Sequence, residues 1–475
     1  MRHRSNSVRL ALPKGRFLSP TADLLNGIAL GFEDYDSGAR RYRLQSPRYP
    51  FLSAKVLQER DICVQVAVGN YDLGICGSDW IEELQAGYPA STLVRLLGLN
   101  YGEGSLYLVA SCHSGISGVG DLVSRQGSWR IVSEYSNLTQ ALTSNLRLRS
   151  FRIFPVWGAA GAYLPEDADL AVLWARNEKE VESQGLFPLM ELFPVQAFLI
   201  ANRDQLENKD VSPILGCFGP STISRPRTVV PGKPSVAARP AASLSQGQEK
   251  GVKLALPDGH QKAPTSQFLE RAGIKIEGYS GKTSERRLSA DLEWMSIKVI
   301  RPQDMPLHVA NGNFDLAVTG RDWLLEHLYR FPSSPVRELL DLGFGKVKIV
   351  AALAQETCVA DIADLRALVQ AGKFSPLRVA SEYVNIADKY LRDNHISSYR
   401  LIPTWGASEA FLPEDADLLI DNTQTGKTLA EHNLRVIDVL LRSSACLIGN
   451  EHSISSPDKR GKIESVVAML RRGLE

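Results

Sequence analysis

Short apolar runs alternate with stretches of helical periodicity along the whole chain. Residues 8–12 read as a strand and 20–30 as a helix, and 71–76 is a strand running into a helix from Asp79. Strands at 106–110, 129–132, 151–156 and 169–173 continue the series, and 197–201 closes it. Apolar runs of this length, separated by turn formers and by segments of period 3.6, predict strands alternating with helices. That alternation points to an α/β protein with mainly parallel sheets.

The series then starts again. Leu10-Ala11-Leu12-Pro13-Lys14-Gly15 returns as Leu254-Ala255-Leu256-Pro257-Asp258-Gly259, and Asp72-Leu73-Gly74-Ile75-Cys76-Gly77-Ser78-Asp79-Trp80 as Asp315-Leu316-Ala317-Val318-Thr319-Gly320-Arg321-Asp322-Trp323. Ser133-Glu134-Tyr135 returns as Ser381-Glu382-Tyr383, and Pro155-Val156-Trp157-Gly158 as Pro403-Thr404-Trp405-Gly406. The offset drifts only between 243 and 248, so a unit of roughly 200 residues occurs twice, too long a period for a solenoid. The expected organisation is a first unit over 1–210, a linker over 211–250 and a second unit over 251–475. The linker holds Pro220, Pro226, Pro231, Pro234 and Pro240 among Ser, Ala and Gly, with little to bury.

Composition narrows the class. With 475 residues the chain can bury large cores in two or more domains. Its 54 basic residues against 53 acidic give no reason to expect nucleic acid or a membrane as partner. No apolar run is long enough to span a bilayer, and residues 10–12 are too short for a signal-peptide core before Pro13, so a cytoplasmic protein is expected. Cys63, Cys76, Cys112, Cys217, Cys358 and Cys446 are scattered without a C-x-x-C pair and read as reduced thiols. His308, His327 and His432 have no ligand spacing.

The stretch with the clearest chemistry is Asp421-Asn422-Thr423-Gln424-Thr425-Gly426-Lys427-Thr428-Leu429, a polar loop behind the apolar strand 418–420. Gly lets backbone N–H groups turn inward and the hydroxyls donate, which suits a phosphate, while Asp421 at the strand end suits sugar hydroxyls or a metal. Gly426-Lys427-Thr428 is not a Walker A loop, because the glycine that motif needs five residues earlier is Asp421. An ordinary loop rich in turn formers is the alternative.

The loop resembles the 5′-phosphate loop of phosphoribosyltransferases. Lys14-Gly15-Arg16, Arg301 to Pro306, Asp315 to Gly320, Leu339 to Lys346, Ser381-Glu382-Tyr383 with Asn385, and Asp421 to Leu429 occur in order. Together they resemble the short-form catalytic unit of ATP phosphoribosyltransferase, present here as a tandem duplication. The resemblance implies two tandem bilobed units like the type II periplasmic binding proteins, each with substrates in the cleft between lobes. The first lobe is expected over 8–110 plus the strand near Ala197, and the inserted lobe of the second copy over about 353–433. It also implies a pentosyl transfer that joins ATP to phosphoribosyl pyrophosphate, with Mg2+, as the first step of histidine biosynthesis. A homo-oligomer or an intramolecular pseudo-dimer, and a separate regulatory subunit resembling histidyl-tRNA synthetase, belong to the same expectation.

Carried over residue by residue, the resemblance makes Asp421, Thr423, Thr425, Gly426, Lys427, Thr428 and Leu429 the phosphoribosyl pyrophosphate site. Lys14, Gly15, Arg16, Asp315, Thr319, Gly320, Glu382 and Tyr383 are expected at ATP or pyrophosphate, with Asp421, Arg16 and Arg301 catalytic. The two copies have lost different parts. Opposite Asp421, Thr425, Gly426 and Thr428 the first copy has Leu173, Asn177, Glu178 and Glu180, a poor phosphate site by like charge alone. Conversely, Lys14-Gly15-Arg16 becomes Asp258-Gly259-His260 in the second. These complementary losses predict one composite site in a fused pseudo-dimer. The alternatives stand beside it: a non-catalytic ligand-binding or regulatory paralogue, a solvated cationic turn at Lys14 and Arg16, helix caps at Glu134 and Glu382, and plain packing for Trp157 and Trp405.

Overall fold

The computed structural model describes residues 7–36, 42–124, 127–219, 223–224, 251–279, 286–406 and 408–474, so most of the expected linker lies outside the described residues. The chain divides into two compact units, Met1–Pro155 with Tyr163–Leu244, and Val156–Ala162 with Ser245–Glu475. Both are bilobed α/β units, each built on two sheets. Residues 211–219, expected in the linker, instead close the first unit. They form a helix at Ser212–Leu215, and Val211, Ile214 and Phe218 are buried in its core.

In the second unit the first-lobe sheet runs, edge to edge, through Arg287–Leu288, Met295–Ile300, Val252–Pro257, Leu316–Gly320, Ala445–Asn450 and Val336–Asp341. Val252–Pro257 pairs in parallel with both neighbours, which matches the expectation from the alternating pattern. The remaining pairs are antiparallel, so the sheet is mixed rather than mainly parallel. The reason is connectivity. The chain leaves this lobe after Val336–Asp341 and comes back as Ala445–Asn450, which slots between two strands already laid down.

The inserted lobe has its own sheet, in the order Tyr399–Pro403, Leu377–Ser381, Leu418–Thr423, Val347–Ala354 and Leu434–Ser443. It therefore starts and ends outside the expected 353–433, because the two strands that carry the chain in and out pair along their length. Its core holds Ile349, Leu365, Val379, Ile386, Leu391, Leu418 and Ile420. Trp157 packs on the same core, and its backbone N–H donates to both oxygens of Asp304 at 3.1 Å. The first unit repeats this plan, with Ser105–Ser111 in its second-lobe sheet rather than the first. None of the described helices is long and apolar enough to cross a membrane.

Candidate functional site

The polar loop of the second unit opens onto a cavity of about 420 Å³. The strand Leu418–Thr423 is buried over its first three residues and surfaces at Asp421. Gly426 follows in the left-handed region, φ 77°, and starts the helix Lys427–Glu431. A Cβ there would meet nothing within 4 Å, so the glycine is required by backbone conformation alone. The Gly426 N–H donates to Thr423 Oγ1 at 3.0 Å and the Lys427 N–H to Thr425 Oγ1 at 3.3 Å, which fixes both hydroxyls. Thr423, Thr425, Thr428 and Leu429 line the cavity, and His260 of the other lobe lines it too.

Its remaining polar wall holds three carboxyls, Asp421, Glu382 and Glu409, beside the neutral amides Asn422 and Gln424. Burial of Asp421 pushes its carboxyl up to about 7, and the neighbouring Glu409 and Asp322 push the same way. The Asn422 N–H, which donates to Asp421 Oδ1 at 2.6 Å, opposes that rise without cancelling it. A carboxyl so placed takes up or releases its proton near neutrality, depending on the charge brought beside it.

Other residues singled out from the sequence stand elsewhere. The Lys427 side chain is 81% exposed and reaches toward Glu431. Arg301 lies 3.5 Å from Asp258 Oδ2, and Arg286 lies 3.3 Å from the same oxygen. The aspartate that replaces Lys14 of the first copy thus gathers two cations to itself. Asp315 is buried and accepts from Lys459 Nζ at 2.8 Å, Ser453 Oγ and the Lys253 N–H, tying the closing helix to the sheet. Thr319 donates to the Pro302 carbonyl. Tyr383 is buried, stacked on Trp323 at 4.3 Å between centroids. Gly320 is needed for close approach: a Cβ there would fall 2.1 Å from Asp322 Oδ1.

In the first unit the corresponding loop satisfies itself. Asn177 caps the helix Glu178–Ser183 by accepting from the Glu180 N–H at 3.0 Å, while Glu180 Oε2 accepts from the Arg176 N–H at 2.7 Å. Donors that would face a phosphate already have carboxylate or amide acceptors. Lys14 is exposed, with Nζ 5.3 Å from the Tyr42 ring. Arg16 is not a free cation. It makes a forked pair with Glu59 (2.8 and 3.1 Å), a second with Asp79 (2.6 Å), and lies over Phe17 and Trp174. Burial works against its charge, but Asp79 and Glu59 more than offset this, so it stays protonated.

The sequence profile of the ATP phosphoribosyltransferase family matches residues 58–216 and again 301–472. This chain belongs to the ATP phosphoribosyltransferase family. The ATP phosphoribosyltransferase of Prosthecochloris aestuarii is 33% identical over 225 residues, 46% of this chain and 70% of that protein. That of Saccharolobus solfataricus is 33% identical over 227 residues, 47% and 72% of the two chains. Among solved structures, the ATP phosphoribosyl transferase (HisG:HisZ) complex from Thermotoga maritima aligns at a TM-score of 0.39 and 22% identity, over 47% of this chain and 98% of that one. The alkanesulfonate-binding protein SsuA from Xanthomonas axonopodis aligns at 0.31 and 11%, over 47% and 73%.

The family profile therefore occurs once in each unit, while the run Thr425-Gly426-Lys427-Thr428 stands in the second unit and Asn177-Glu178-Lys179-Glu180 in the first. Sequence reasoning missed Asn422, Asp322 and Ser443 around Tyr383, and the approach of His260 to the loop. The repeated Gly-x-Asp-Trp at Gly77 and Gly320 was the available signal for Asp322.

Proposed function

We propose that the chain transfers the 5-phosphoribosyl group of phosphoribosyl pyrophosphate to N1 of the adenine of ATP, releasing pyrophosphate, as the first step of L-histidine biosynthesis. In this reading the second unit carries the one sugar-phosphate site. The observation that carries it is the contrast between the loops: the N–H groups are taken up by threonine hydroxyls that line a cavity behind Asp421 in one unit, and by the Asn177 amide and the Glu180 carboxylate in the other.

The adenine N1 lone pair forms the new bond to the anomeric carbon while that carbon's bond to pyrophosphate oxygen breaks. Positive charge builds on the ribose and negative charge on the leaving group. Thr423, Thr425 and Thr428 anchor the 5′-phosphate, fixing the sugar for attack. Asp421 accepts from the ribose hydroxyls and, once ionised, sets a negative charge beside the developing cation. Magnesium binds through one or two carboxylates plus substrate phosphates, a demand that Asp421 with Glu382 or Glu409 fits. Among the described residues no three His, Cys, Asp or Glu side chains are grouped to hold a metal. When bound, it neutralises charge on the leaving pyrophosphate. A cytoplasmic setting and a regulatory subunit resembling histidyl-tRNA synthetase belong to the same proposal; adding that subunit should raise turnover.

Two measurements test this. Calorimetry should find one phosphoribosyl pyrophosphate site per chain, and the ultraviolet change of N1-ribosylated adenine should grow with ATP, magnesium and phosphoribosyl pyrophosphate. Two equivalent sites would overturn the assignment to the second unit. Binding without turnover would leave the non-catalytic paralogue.

A further inference from the structure

Asp322 is buried at the start of the helix Arg321–Arg330, and hydroxyls hold it. Ser443 Oγ donates to Oδ1 at 2.6 Å and accepts the Asp322 N–H at 2.9 Å. The Tyr383 hydroxyl donates to Oδ2 at 2.6 Å. Beyond it, Asn422 Nδ2 donates to the tyrosine oxygen at 3.2 Å and to Asp421 Oδ1 at 3.3 Å. A single line of hydrogen bonds thus joins the first lobe to the carboxylate at the cavity.

The first unit shows what is particular here. Tyr135 donates to Asp79 in the same way, at 2.8 Å, but Arg16 sits on the same oxygen at 2.6 Å and Val195 occupies the position of Ser443. There a cation absorbs the aspartate's charge. In the second unit, His260 stands in place of Arg16, and the charge is held by two O–H donors.

We propose that Asp322 is a positioning residue for the sugar-phosphate site: through the Tyr383 hydroxyl it fixes which way Asn422 points, and with it the carboxylate of Asp421. The inference rests on the function proposed above. Its logic is donor polarity. Tyr383 has one proton, and a charged acceptor claims it. Only a lone pair then faces Asn422, so the amide must present its NH2 there. That orientation also turns NH2 toward Asp421 Oδ1. Without the carboxylate at 322 the tyrosine proton is free to point at Asn422, whose amide then flips and sets oxygen against oxygen at Asp421.

The test uses the full chain. Tyr383→Phe keeps the ring on Trp323 and removes the hydroxyl. Turnover should fall about tenfold or more, and KM for phosphoribosyl pyrophosphate should rise severalfold while KM for ATP holds. In an Asp421→Asn background the same change should cost less than about twofold, because residues acting in one line are not additive. Asp322→Asn, isosteric with the parent, should repeat both results and serves if Tyr383→Phe does not fold. Parent-like turnover and KM in Tyr383→Phe and Asp322→Asn, or full additivity with Asp421→Asn, would overturn the inference alone. A parent protein that neither binds phosphoribosyl pyrophosphate nor turns over overturns the proposed function and this inference with it.

Discussion

Replacing Asp421 by asparagine should stabilise the protein while disabling it. The Asp421 carboxyl ionises at about 7 in the folded chain, against an ordinary value of 3.8, because burial and the charges of Glu409 and Asp322 oppose its ionisation. Between those two values the folded chain holds a proton that the unfolded chain has lost. Stability therefore falls as pH rises through that window. A shift of about three units corresponds to about 4 kcal/mol as an upper bound, and the partial exposure of Asp421 lowers the expected figure to about 1–3 kcal/mol. The substituted amide keeps the volume and an acceptor for the Asn422 N–H, whose bond to Asp421 Oδ1 is 2.6 Å. Thermal melts of parent and variant should coincide near pH 4, diverge as pH rises, and differ most above pH 7, with the variant melting higher. Turnover at pH 7.5 should drop at least about tenfold, about 1.4 kcal/mol in the barrier. A variant that melts below the parent at pH 8, or whose gain is equal at pH 5 and pH 8, would refute the reasoning.

Thr428→Ala should weaken phosphoribosyl pyrophosphate binding by about 1.5–3 kcal/mol, the range for a hydrogen bond to a charged group, while Glu180→Ala should change it by less than about 0.5 kcal/mol; calorimetry measures both. Arg16→Met leaves Glu59 and Asp79 buried together and should destabilise the chain by about 3–5 kcal/mol at pH 8 in thermal melts. Burial holds the Glu59 carboxyl up at about 7 even with Arg16 present, so the deficit should shrink as pH falls below that value and Glu59 protonates. Residues 251–475 alone lack Val156–Ala162, which groups with the second unit and satisfies Asp304 through the Trp157 N–H. That fragment should melt lower than the second unit of the full chain, and equal melting temperatures would show the segment to be dispensable.

The strands at Val8–Pro13, Leu73–Gly77 and Leu418–Thr423 were legible because each begins as an apolar run between turn formers, and the repeat offered each strand twice. Direction was not legible: an apolar run reads the same for Ala445–Asn450 lying antiparallel as for a parallel strand. The boundary of the first lobe, expected at 110, was misplaced for a related reason, since Ser105–Ser111 is buried on both faces and could join either sheet. The loop of Thr425 and Gly426 could be found because its chemistry is contiguous in sequence. Asp322 was marked only by the repeated Gly-x-Asp-Trp, and its hydrogen-bond partners, 61 and 121 residues away, were not legible. The same distance hid the fate of Arg16, a ready cation in sequence whose carboxylates stand 43 and 63 residues off.

The sign of the cavity wall has a thermodynamic consequence. Three carboxyls line it, Asp258 draws Arg301 and Arg286 to itself, and the described lining residues include no lysine or arginine. A sugar carrying a phosphate and a pyrophosphate is a polyanion, and it cannot enter such a space naked. On the function proposed above, its binding is linked to the uptake of positive charge, as a proton on Asp421 or as a divalent ion carried in with it. Affinity should accordingly rise with magnesium concentration and, at fixed magnesium, as pH falls. Added monovalent salt should weaken binding far less than it weakens a protein that meets phosphates with arginines and lysines, because few fixed cations are there to be screened.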